Sequence, residues 1–244
     1  MKPYNKADKT KSEEVTEMFD NIAPTYDRLN HILSFNIDKI WRRNVVKIIR
    51  SLQPADLLDV ATGTGDLAIA LAEGNPKTRV VALDPSEGML SVARTKIEAK
   101  GLSDRVEVRC GAAEELAAAD SSFDAVTVAF GVRNFGDLRG GVKEMVRTLR
   151  QDGSLVVLEF AVCENWLIGP LYRLYSRYIM PFIGGLLSRD KRAYSYLPES
   201  IEEFERPAEF LKIMEECGLK NCYNRPQFWG VAQIYVGQKV EDSQ

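Results

Sequence analysis

A short apolar run, Leu57 to Ala61, gives way to Thr62-Gly63-Thr64-Gly65 and then at once to the helix-forming stretch Leu67 to Ala72. A strand that turns through small residues straight into a helix opens a βαβ unit, which a parallel sheet with helical crossovers accommodates. The pattern recurs. Arg79 to Leu83 reads as a strand closed by Asp84, and Ser86 to Lys100 as a helix with a serine cap and Gly101 behind it. Val106 to Cys110, Ala125 to Ala129 and Ser154 to Phe160 are further strands, with a helix at Leu138 to Leu149 between the last two. Such alternation predicts an α/β fold, a doubly wound and mostly parallel sheet.

Ahead of the sheet, Glu14 to Leu52 carries apolar residues at helical spacing, interrupted at Ala23-Pro24, and predicts a helical N-terminal layer. The last third departs from the rhythm: 165–187 is apolar and aromatic, Glu202 to Cys217 reads as an amphipathic helix and Val231 to Gln238 as a closing strand. With neither repeat nor linker in 244 residues, a single domain over 1–244 is expected, with a helical layer at 1–52 and a helical insertion at 165–200. A net charge of -3 gives the whole molecule no pull toward nucleic acid. Four cysteines without a CxxC and one histidine, His31, leave too few ligands for the common zinc spacings, so no metal is expected. Scattered thiols and a polar N-terminal stretch suit the cytoplasm. The run from Trp166 to Leu187 is broken by Arg173 and Arg177 and cannot span a bilayer, yet its Trp166, Tyr172, Tyr175, Tyr178 and Phe182 are punctuated as in an interfacial helix.

The spacing of the glycine turn differs from the dinucleotide fingerprint GxGxxG. Asp84 ends the next strand about 20 residues on, where an acid can take the ribose hydroxyls of an adenosine. Asp59, before the turn, adds little to pyrophosphate binding but favours a cationic ligand such as the sulfonium and amino group of S-adenosylmethionine. A nicotinamide-dependent oxidoreductase on the same sheet and a lipid-binding module are the alternatives from other classes.

These residues resemble the first motif of the class I S-adenosylmethionine-dependent methyltransferases, with Ala61 in the first glycine position. Tyr26-Asp27-Arg28-Leu29-Asn30, Ser34 and Trp41, then Phe130-Gly131-Val132-Arg133-Asn134, then Gly153 to Phe160, and finally Tyr194, Tyr196, Leu197, Ser200 and Ile201 are similar to the signatures of the ubiquinone/menaquinone biosynthesis C-methyltransferases. Asp38 stands where that family usually has histidine. The resemblance implies a Rossmann-like seven-stranded sheet and methyl transfer to a ring carbon of a polyprenyl quinol, demethylmenaquinol first and a benzoquinol intermediate of ubiquinone second. It implies that Tyr26, Asp59, Thr62, Gly63, Thr64, Gly65, Asp84, Ala112, Ala113 and Ala129 bind the cofactor and that Asn134 and Glu159 bind substrate. Arg133, beyond a strand end, is expected to stabilise the phenolate electrostatically, since guanidinium keeps its proton. His31 is expected to face solvent or cap a helix. Peripheral contact with the inner face of the membrane is expected, and a homodimer is left open.

Overall fold

The computed structural model describes residues 1–180 and 190–241. A seven-stranded sheet runs in the order β3-β2-β1-β4-β5-β7-β6. Its strands are β1 (Asp56–Val60), β2 (Arg79–Asp84), β3 (Val106–Cys110), β4 (Phe123–Ala129), β5 (Leu149–Phe160), β6 (Lys220–Gln227) and β7 (Ala232–Gln238). The first five are parallel, and β7 pairs antiparallel with both β5 and β6. Central strands of this kind are covered on both faces, which explains why Leu57, Val60, Ala125, Val126 and Val157 are all buried rather than alternating with polar residues.

Helices α3 (Ile37–Leu52), α4 (Asp66–Gly74) and α5 (Glu87–Ala99) close one face over Val45, Ile49, Leu71 and Ala93. On the other face α6 (Leu138–Thr148) and α9 (Pro207–Glu216) pack around Val142, Met145, Phe210 and Met214. A third cluster joins α1 (Lys11–Ile22) and α2 (Tyr26–Leu33) to α5 and to the segment before the last strands through Met18, Leu29, Met89, Met180 and Tyr194. The expected helical layer is thus present, broken by a short turn at Ala23–Thr25 where Pro24 cannot continue α1.

The described part of the insertion is α7 (Ile168–Leu174), continued by a π-turn at Tyr175–Ile179, and α8 (Lys191–Glu203). Phe182 lies outside the described residues. Two expectations need correction. The single helix from Glu202 to Cys217 is instead the end of α8 and the separate α9, because Phe204 leaves the helix and Pro207 starts a new one at its first position. Lys220–Gln227, read as no element, is the edge strand β6, whose polar, proline-containing sequence suits an edge and hides its pairing.

The chain order reverses between β1 and β4, so a crevice opens beyond their carboxyl ends.

Candidate active site

At that crevice β1 hands Asp59 to the glycine turn. Its two oxygens accept the Thr62 and Thr127 hydroxyls, both at 2.6 Å. Asp84, at the end of β2, accepts the backbone N–H of Gly63 at 2.8 Å and of Ser86 at 2.9 Å, tying the turn to the start of α5. Burial pushes both carboxyls up to about 6, with the hydrogen bonds acting against it. Arg42 offsets part of this at Asp59, and a further positive charge in the cleft would favour the ionised form of both carboxyls.

The two glycines of the turn do different work. Gly63 has φ +57°, and a Cβ built there meets nothing within 4 Å, so the space above it is open. Gly65 has φ +81°, and its Cβ would stand 3.2 Å from the Cβ of Ala93; it starts α4 against α5 and borders none of the described cavities. Gly65 therefore supports the cleft from behind by letting α4 start close against α5.

Three cavities meet here. A cleft of about 100 Å³ is bordered by Gly63, Asp84, Ala112, Ala113, Ala129 and Asn134 and covered by Val15 and Phe19 of α1. A smaller one of about 30 Å³ touches Asp59, Thr62, Gly63, Thr64, Ala129 and Arg42. The largest, about 320 Å³, is walled mainly by apolar and aromatic residues, among them Met18, Leu33, Trp41, Phe160, Ile168 and Tyr172. Tyr26 and Phe130 line all three, so a molecule in the cleft beside Asp84 and one in the apolar cavity would meet at these two rings.

Arg133 lines the apolar cavity, with its side chain only 6% exposed. Nη1 donates to Glu159 Oε1 at 2.8 Å and to the Phe130 carbonyl, Nε donates to Ser200 at 3.3 Å, and the guanidinium lies over the Phe160 ring. Glu159 is fully buried behind it, accepts N–H groups of Arg133 and Phe160, and borders no described cavity. Glu159, expected at the substrate, stands here as the counter-charge that holds Arg133. Asn134, also expected at the substrate, borders the cleft beside Asp84 and accepts the Tyr196 hydroxyl at 3.2 Å. Tyr172 presents a buried hydroxyl that has no hydrogen-bond partner among the described residues.

Sequence reasoning missed Arg42 and misjudged His31. Arg42 borders both the apolar cavity and the small cleft, lies over the Phe130 ring and binds Asp38. The i,i+4 spacing of Asp38 and Arg42 on α3 was the available signal. His31 neither caps a helix nor stands free in solvent: Nδ1 is 2.9 Å from Asp38 Oδ2, and Nε2 is 3.6 Å from Asp66 Oδ2. Donor atoms of His31, Asp38 and Asp66 lie within 4.8 Å of one another, but the Arg42 guanidinium pairs with both acids and supplies the cation this cluster would otherwise seek.

The helical layer is fastened over the turn. Asp20 accepts Ser86 Oγ and, at 2.9 Å, the Gly88 N–H; Asp27 accepts the Thr64 hydroxyl and pairs with Lys96 at 2.7 Å.

Comparison with known proteins agrees with this geometry. The ubiE/COQ5 methyltransferase family model matches residues 7–239. Similar relatives include a demethylmenaquinone methyltransferase of Bacteroides fragilis, 40% identical over 98% of this chain and 97% of that protein, and one of Thermus thermophilus, 46% identical over 91% of this chain and 100% of that protein. A ubiquinone/menaquinone biosynthesis C-methyltransferase of Geotalea uraniireducens is 44% identical over 94% of this chain and 97% of its own. Among solved structures, a SAM-dependent methyltransferase of Thermotoga maritima shares the fold with a TM-score of 0.62 at 20% identity, covering 91% of this chain and 98% of that one. None of these supports the oxidoreductase alternative. The chain, over nearly its whole length, belongs to the ubiE/COQ5 methyltransferase family.

Proposed function

We propose that this methyltransferase moves the methyl group of S-adenosylmethionine to a ring carbon of demethylmenaquinol, giving menaquinol. The observation that carries the reading is the shared wall: a cleft that holds Asp84 and a larger apolar cavity both end on Tyr26 and Phe130.

The cleft suits S-adenosylmethionine. Asp84 can take the ribose hydroxyls, Ala112 and Ala113 leave an apolar slot for adenine, and Asp59, half-charged near pH 6, favours the cationic end. When bound, that molecule supplies an electrophilic methyl on a positive sulfur. The large cavity suits a ring with a prenyl tail, because its apolar lining excludes water. At its polar end the unpartnered Tyr172 hydroxyl can hydrogen-bond a ring oxygen, and Arg133 can hold negative charge on it. A phenol of pKa about 10 is mostly protonated at neutral pH, so the positive guanidinium serves by making the phenolate more accessible. Held by Glu159, it needs no reorganisation as charge develops.

The mouth supports a membrane-bound acceptor. Phe35, Leu171 and Phe228 border the cavity yet are exposed, and beside them Trp166 is 84% and Trp229 60% exposed. Exposed Lys39, Arg43, Arg173 and Arg177 lie on the same segments and would favour an anionic lipid surface. Among the described residues no helix is long and apolar enough to cross a membrane. Contact of this kind is peripheral and reversible.

The test is direct. Purified protein with S-adenosylmethionine and demethylmenaquinol should yield menaquinol and S-adenosylhomocysteine, followed by mass spectrometry, with the benzoquinol intermediate in parallel. Transfer to neither quinol would sink the reading; preference for the benzoquinol would move it to ubiquinone synthesis. Flotation with anionic liposomes should carry wild type and lose Trp166→Ser/Trp229→Ser; equal flotation of both would refute the docking rim.

A further inference from the structure

Methylation of a ring carbon releases a proton. The ring carbon's electron pair forms the new C–C bond, the S–CH₃ bond breaks with its pair left on sulfur, and the ring regains aromaticity by losing the hydrogen of that carbon. One proton per turnover must leave a cavity that excludes water.

The cavity wall contains one carboxylate among the described residues, Asp38. The other candidates fail. Arg42 and Arg133 keep their protons, burial raises Tyr26, Tyr172 and Tyr175 further from neutrality, and Glu159 is sealed behind Arg133. Asp38 in turn meets the only histidine of the chain, whose side chain is 23% exposed and so reaches water. We propose that Asp38 and His31 are the proton exit of the acceptor cavity: Asp38 collects the proton released by the ring, and His31 carries it to solvent.

This rests on the quinol reading above. His31 Nδ1 lies 2.9 Å from Asp38 Oδ2, where the imidazole donates to the ionised carboxylate or, in its Nε2–H tautomer, accepts from the protonated one. Once Asp38 has taken the ring proton, that tautomer accepts it on Nδ1 and becomes imidazolium, and the partly exposed ring turns outward to give the same proton to water, returning with its Nε2 proton in place. Asp38 does not retain the proton. Burial alone would raise its affinity, but the Ser34 hydroxyl and Arg42 overcome this and hold it below the usual carboxylate range. The charged groups around the pair are Arg42 on α3, Asp66 on α4, and Lys96 on α5, which binds both Asp66 and Asp27 of α2. They bring charges of both signs, so the imidazolium forms without leaving an isolated buried charge. Asp38 is a catalytic residue in this scheme; His31 acts through it.

Because the histidine is unique, imidazole resonances of the full-length protein report His31 alone. Their titration midpoint should coincide with the acid limb of the kcat profile, and both should move together in Asp38→Asn. His31→Asn should lower kcat by about tenfold or more and remove that limb, while the acceptor KM changes by less than about twofold. The exchange His31→Asp with Asp38→His keeps an imidazole–carboxylate pair in place and should recover most of the loss. A His31→Asn enzyme with normal kcat and an intact acid limb overturns the relay, as does an imidazole titration indifferent to Asp38→Asn. If wild type methylates no quinol, the acceptor reading fails, and the resonance titration, which needs no acceptor, still decides the pairing.

Discussion

The floor of the donor cleft is the glycine turn with two carboxylates at adjacent strand ends, roofed by α1, whereas the acceptor cavity is built almost wholly from side chains gathered from α1 to α3, the ends of β4 and β5, and the insertion. The first can be fixed by a few residues close in sequence. The second exists only once distant segments have packed, and among the described residues its rim leaves Phe35, Leu171 and Phe228 exposed. The teaching is that cofactor chemistry here is local, while acceptor choice is a property of tertiary packing.

The sharpest way to break that contrast is at Arg133, where both demands fall on one residue. Arg133→Ala leaves Glu159 buried without its cation and should cost about 3–5 kcal/mol of stability. Arg133→Ala/Glu159→Gln should regain much of this in a denaturant melt. Its kcat should remain about a hundredfold down, with cofactor affinity little changed. A double variant with normal turnover would make Arg133 a purely structural residue.

On the donor side, Asp84→Ala should weaken S-adenosylmethionine binding by about 2 kcal/mol by calorimetry, as ribose hydroxyls and the Gly63 N–H lose a shared acceptor. An unchanged dissociation constant would remove the acid from the cofactor site. Gly65→Val is a poor probe by comparison, since its φ and the nearby Ala93 make it a folding defect.

A pH series sharpens the contrast further. Asp59 and Asp84 sit at about 6 in the folded protein against an ordinary 3.8, so between those values the native state holds protons that the unfolded chain has released. Stability of the ligand-free protein from this source falls as pH rises from about 4 to 6 and is lost above. A cationic ligand favours the carboxylates, so its thermal stabilisation should be larger at pH 7.5 than at pH 5, by about 1.4 kcal/mol per group for each unit below 6. Equal stabilisation at both values would mean that neither acid meets the cation.

The smallest effect belongs to the acceptor side. Tyr172→Phe removes a buried hydroxyl with no partner and should leave stability unchanged or slightly higher, while raising the acceptor KM by an amount worth about 1 kcal/mol. An unchanged acceptor KM would show that this hydroxyl meets no ring oxygen.

The same contrast explains what the sequence discloses. Asp59, the glycine turn and Asp84 are legible because strand, turn and helix are contiguous and each residue type has a physical reason to be there. Arg42 and the His31–Asp38 pair are not, because the i,i+4 spacing of Asp38 and Arg42 announces an ion pair and nothing of the crevice over which α2 and α3 fold. Asn134 and Glu159 follow Arg133 closely in space, yet small differences in direction at a strand end send one to the cleft and the other into the interior. The polar strand β6 is invisible for the opposite reason: its pairing needs β7, not its own hydrophobicity.

Ala61 carries a history. It occupies a left-handed conformation, φ +52°, that costs an alanine about 1–2 kcal/mol relative to glycine. Its methyl also fills the place where a Cβ on residue 131 would go, at 2.6 Å, although Gly131 itself has an ordinary φ of -108°. The two positions are therefore epistatic. While alanine stands at 61, glycine at 131 is obligatory; once 61 becomes glycine, the main obstacle at 131 is gone and only Val128, at 3.0 Å, remains to adjust. A side chain at 131 therefore requires Ala61 to move, and Ala61→Gly should make substitutions at 131 less destabilising than they are beside alanine.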